Sequence, residues 1–108
     1  MISTHILDTH LGQPAAHVEI KLYSGDGQLL ASALTNLDGR VSAVDFALEH
    51  IYIGDYSLEF ATQAYFSEKN IETFFPKAVI HFSIRDIDQH YHIPLLISPF
   101  AYSTYRGS

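Results

Sequence analysis

Apolar residues recur at every second position along most of this chain. In Val18-Glu19-Ile20-Lys21-Leu22-Tyr23 they occupy every second place, the spacing of a strand buried on one face. Asp55 to Phe60 repeats it with Tyr56, Leu58 and Phe60 turned inward. Ala78, Ile80, Phe82 and Ile84 form a third row, with His81, Ser83 and Arg85 on the reverse. Ile2 to Asp8, Gln28 to Thr35, Arg40 to Asp45, His90 to Ser98 and Ala101 to Arg106 bring the expected number of strands to about eight. Gly12-Gln13-Pro14, Gly25-Asp26-Gly27 and Asn36-Leu37-Asp38-Gly39 supply turn residues between them, and Ser98-Pro99 ends the seventh strand, since Gly and Asp tolerate the φ angles that tight turns use. Only Thr62 to Asn70 reads as a helix, with Thr62 as its N-cap and Tyr65, Phe66 and Lys69 along it. The pattern predicts an all-β fold in a single domain over 1–108, a two-sheet antiparallel sandwich with one short helix.

Composition narrows the partners. Hydrophobic residues at 47% and charged residues at 17% exclude a disordered chain. A formal charge of −6 argues against a phosphate-neutralising surface, so no nucleic acid is expected. The absence of cysteine removes disulfides, thiolate metal sites and cysteine nucleophiles together. Met1-Ile2-Ser3-Thr4-His5 lacks the cationic start of a signal peptide. The apolar run Ile93 to Ala101, broken by Pro94, Ser98 and Pro99, is well short of the roughly 20 residues of a membrane span. A cytoplasmic chain with no membrane partner is the expectation.

The strand faces point to an assembly. Tyr91, Ile93, Leu95 and Ile97 make the core side of their strand, leaving His90, His92, Pro94 and Leu96 on the other. The first strand divides similarly, Ile2 and Ile6 against His5 and Leu7, and the last sets Ser103 and Tyr105 against Tyr102, Thr104 and Arg106. An outer face holding Leu7, Pro94, Leu96 and Tyr105 is more apolar than a monomer usually leaves open. A second subunit would cover it, with histidines lining a cleft between chains.

Three readings are open for His90 and His92: a metal site, because i, i+2 side chains on a strand point the same way; surface histidines without a role; or acid–base chemistry, for which an imidazole titrating near neutrality is suited. His10, His17 and His50 read as surface residues. No Gly-x-Ser-x-Gly elbow or phosphate-cradling glycine loop is present. The carboxylates are scattered singly. Composition and spacing reach an oligomeric β-sandwich with a histidine site, and no further.

The motifs reach further. Ser3-Thr4-His5-Ile6-Leu7-Asp8, Thr35-Asn36-Leu37-Asp38-Gly39-Arg40, the run His90 to Pro99 and the closing Tyr102-Ser103-Thr104-Tyr105-Arg106-Gly107-Ser108 resemble the transthyretin-like family, and within it the 5-hydroxyisourate hydrolases. The resemblance covers essentially the whole chain, and the terminal Tyr-Arg-Gly-Ser separates those enzymes from the hormone-carrying transthyretins. It implies hydrolysis of the substrate 5-hydroxyisourate to 2-oxo-4-hydroxy-4-carboxy-5-ureidoimidazoline in urate breakdown. It also implies a homotetramer with active sites in a channel where dimers meet, and no cofactor or metal. The family's catalytic positions carry over to His5, Arg40, His92 and Ser108, with Tyr105 and Arg106 joining His5, Arg40 and Ser108 in substrate binding. His92 is then the expected general base and His5 the group orienting water or substrate, although the two roles are exchangeable. Arg40 would stabilise the oxyanion. Ala101, where Gly or Ser is usual, and Gln13, where a basic residue is common, depart from the family pattern without touching these positions. A transthyretin-like carrier using the same channel without turnover is the alternative.

Overall fold

The alternating rows pair into two sheets in the computed structural model, which describes residues 1–108. In chain order the elements are β1 (Ile2–Asp8), β2 (Gln13–Pro14), β3 (Glu19–Ser24), β4 (Leu29–Leu34), β5 (Arg40–Val41), α1 (Ala43–Phe46), β6 (Gly54–Phe60), α2 (Thr62–Glu68), β7 (Ala78–Ile84), β8 (Tyr91–Ser98) and β9 (Ala101–Thr104). One sheet runs β2-β1-β8-β9, with β5 beside β2 on the same flank of β1; the other runs β4-β3-β6-β7. The expected all-β sandwich forms, and its inward rows meet between the sheets. Ile6, Leu95 and Ile97 from the first sheet and Ile20, Leu22, Leu58, Phe60 and Ile84 from the second are almost wholly buried. Phe66, on α2, is buried with them.

Besides Gln13 and Pro14, expected in a turn but paired with β1 as β2, five details differ from the sequence expectation. First, β1 pairs with β8 in parallel, from Ile2 opposite Tyr91 to Asp8 opposite Ile97, while all the other ladders are antiparallel. Second, the strand expected from Arg40 to Asp45 stops at Val41, because Ser42 and Asp45 form a capping box that starts α1. Third, α2 begins at Thr62 itself, with Ala61 in the cap position and no side-chain cap bond. Thr62 is buried there as the first helical residue. Fourth, β9 ends at Thr104, and the tail rejoins the sheet only where Gly107 N–H donates to the His92 carbonyl at 2.9 Å. Fifth, Pro94 is buried within the single chain, because that tail lies against it: a Cβ on Gly107 would fall 3.2 Å from Pro94 Cγ.

The Asp8 end of β1 is anchored by polar groups that water barely reaches. The Asp8 carboxylate accepts from the His10 and Leu11 amides and from the Tyr65 hydroxyl at 2.7 Å, tying α2 to the first sheet. Burial and that carboxylate push the Tyr65 hydroxyl far above its ordinary pKa, so it is a permanent donor. No helix is long and apolar enough to cross a membrane.

Candidate active site

Register across the first sheet brings distant residues into two short rows on its outer face. Arg40 on β5 lies opposite His5 on β1, and His5 opposite Pro94 on β8. Two residues along, Ser3 on β1 lies opposite His92 on β8, which in turn bridges to Gly107. Residues directly opposite one another point to the same face, and neighbouring strands are about 4.8 Å apart. Each row therefore spans roughly 10 Å, the scale of a small heterocyclic ligand. Ser3, Arg40, His90, His92 and Ser108 line one concavity of about 310 Å³, walled also by the start of α1.

Local sequence explains how Arg40 is presented. Asn36 Oδ1 accepts from the amides of Asp38 and Arg40 at 2.9 and 3.0 Å, and the Gly39 amide donates back to the Asn36 carbonyl. This turn needs Gly39, whose φ is +75° and whose added Cβ would sit 2.4 Å from the Ile6 carbonyl. The turn ends with Arg40 in register with His5. No carboxylate pairs with the Arg40 guanidinium, so its fork of donors is available to a ligand.

The imidazoles are tuned toward neutrality. His5 and His92 both lie below the ordinary histidine value of 6.5, in each case first through burial and then through the Arg40 cation. The charges of His90 and His5 press His92 the same way, whereas the Asp38 backbone and carboxylate pull His5 partly back. At neutral pH both rings are therefore unprotonated and able to accept a proton.

The fold treats the expected site residues unequally. Arg40, His92 and Ser108 share the concavity, and His5 adjoins it in the Arg40 row. Tyr105 and Arg106 line a separate cavity of about 300 Å³ between β7 and the tail, which His92 also borders. Arg106 donates to Gln89 Oε1 at 2.9 Å and stacks over the Tyr91 ring, with Cζ 4.6 Å from its centroid. It fastens the tail. Sequence reasoning passed over Ser3, whose Oγ lies 2.7 Å from both His90 Nε2 and His92 Nδ1. It also passed over the start of α1 as a wall, although Ser-x-x-Asp before an apolar residue is a readable helix signal. Nothing local marks Ser3, because its partners are almost a chain length away. His10, His17 and His50 are exposed, as expected.

Comparison with known proteins identifies the fold and the family. The HIUase/Transthyretin family model matches residues 2–107. The 5-hydroxyisourate hydrolase of Caulobacter vibrioides is 43% identical, covering 99% of this chain and 97% of its own. The solved 5-hydroxyisourate hydrolase of Klebsiella pneumoniae superposes with a TM-score of 0.89 at 41% identity, over 99% of this chain and 98% of that one. Transthyretin from Sparus aurata superposes with the same TM-score at 29% identity, over 98% and 95%. With the family model matched over nearly the whole chain and a relative 43% identical from end to end, the chain belongs to the HIUase/Transthyretin family.

Proposed function

We propose that this protein is a cytoplasmic, homotetrameric 5-hydroxyisourate hydrolase. The observation that carries the reading is the convergence of Arg40, His92 and Ser108 on one concavity, with His5 adjoining. An unpaired guanidinium beside two neutral imidazoles suits addition of water to an electron-poor carbonyl. His92 accepts a proton from water as the oxygen attacks the cyclic amide, a step worth typically about 10²–10⁴-fold. Charge then builds on the carbonyl oxygen, where Arg40 stabilises it. The protonated His92 returns its proton to the departing ring nitrogen, and the ring opens. Ser108 and His5 hydrogen-bond substrate and water. Arg106 serves the site by tying down the tail that carries Ser108.

The relatives' names support the hydrolase over a carrier, and so does the site, since a carrier of an apolar ligand has no use for the unpaired Arg40. The tetramer is supported by unpaired sheet edges, β7 and β9 among them, and by half-buried Leu7 and Leu96 on the outer face of the first sheet. The test is ultraviolet decay of freshly generated 5-hydroxyisourate. Addition of the protein accelerates it, chelator leaves the acceleration intact, and His92→Ala or Arg40→Ala removes most of it, about 10²-fold or more. Decay at the spontaneous rate with the wild-type protein overturns the reading.

A further inference from the structure

The His92 ring is held on both flanks. Ser3 Oγ lies 2.7 Å from Nδ1 on one edge. Gly107 closes on the other edge, where a Cβ would come within 2.6 Å of Cδ2. The free end of the ring is therefore Cε1 and Nε2, and Nε2 is the nitrogen left to meet a reactant. Whether it is a base depends on which nitrogen carries the proton, and that is set by the partner of Nδ1.

That partner is shared. The same Ser3 oxygen lies 2.7 Å from His90 Nε2, and a hydroxyl has one proton to donate. Directed at His90, it must accept Nδ1–H from His92, and His92 Nε2 is then bare. Directed at His92, it accepts from His90 instead, and the free nitrogen of His92 carries a hydrogen that blocks proton uptake. Arg40 faces the same concavity as His92, and near a guanidinium a lone pair is favoured over an N–H. His90 is exposed, and its part is to receive the Ser3 proton.

We infer that Ser3 is a positioning residue whose hydroxyl, with its proton directed to His90, holds His92 in the tautomer protonated at Nδ1 and leaves Nε2 free to accept a proton. The kinetic consequence rests on the hydrolase reading; the tautomer rests on the geometry alone. The i, i+2 histidine pair thereby gains a division of labour: His92 meets the reactants, and His90 sets the direction of the hydroxyl behind it.

Nitrogen-15 NMR of the histidine rings, with steady-state kinetics of the same samples, tests this. In the wild type His92 shows a protonated Nδ1 and an unprotonated Nε2. Ser3→Ala moves His92 toward the Nε2-protonated form that free imidazole prefers, and lowers kcat about 10–100-fold with KM changed less than about twofold. Ser3→Thr, which keeps the hydroxyl, restores both. His90→Phe removes the acceptor, lets the hydroxyl turn to His92, and shifts the spectrum in the same direction. A wild-type His92 already protonated at Nε2, or a Ser3→Ala variant with unchanged spectrum and kcat, overturns the inference. A wild-type protein without hydrolase activity overturns the functional reading alone, because the spectra report the tautomer without turnover.

Discussion

His5 and His92 hold their protons less tightly than free histidine, for a reason that fixes the pH behaviour. Burial and the Arg40 cation both disfavour the imidazolium, so the folded values lie below 6.5 while the unfolded chain titrates near it. The neutral, working form is then complete above that value and lost only as pH falls through the lowered ones. The expected kcat/KM profile stays level through neutrality and turns down below pH 6.5; an acid limb at or above 6.5 contradicts it. Stability carries the same sign, since the two rings favour the fold fully above 6.5 and penalise it as acid charges them. Because the rings and Arg40 act on one another, the limb belongs to the set and not to one residue. Gly107 is the other single-residue control point. Its alanine variant places a methyl against the His92 edge, and a displacement of about 1 Å costs on the order of 10²-fold in rate. Thermal melting near the wild-type midpoint, with that loss of kcat, is the expected result.

At the scale of elements, the site depends on a turn and a ladder of different legibility. The turn from Asn36 to Arg40 was readable, since Asn, Asp and Gly in that order specify it by their side-chain acceptors and φ preferences. Gly39→Ala, at φ +75° and against the Ile6 carbonyl, destabilises by more than about 1 kcal/mol, seen as a lower urea midpoint. It also lowers activity by displacing Arg40. The short α1 falls inside the stretch expected as strand from Arg40 to Asp45, where the local Ser42-x-x-Asp45 capping box wins over a strand pattern that Ala43-Val44 already breaks. The parallel pairing of β1 with β8 was not readable at all. Alternation says which face a residue occupies, but nothing in it says which strand lies alongside or in which direction.

For the whole molecule, the proposed assembly draws on the outer face of the first sheet. Leu7 and Leu96 lie opposite one another on it, near edges that end unpaired. Sedimentation velocity is expected to give a four-chain particle, and Leu96→Glu a smaller one, since a charge buried at a subunit contact has no partner; a monomeric wild type contradicts the assembly. The core faces, the hairpin turn at Gly25 to Gly27 and the outward placement of His5 and His92 were determined by sequence alone, because each follows from period-two alternation or from residue-specific turn chemistry. The meeting of Ser3 with His90 and His92, the closure of Gly107 on the ring and the diversion of Arg106 to Tyr91 were decided only by tertiary structure. Each joins segments separated along the chain or sets a side-chain direction, and local pattern carries no information about register between strands 89 residues apart.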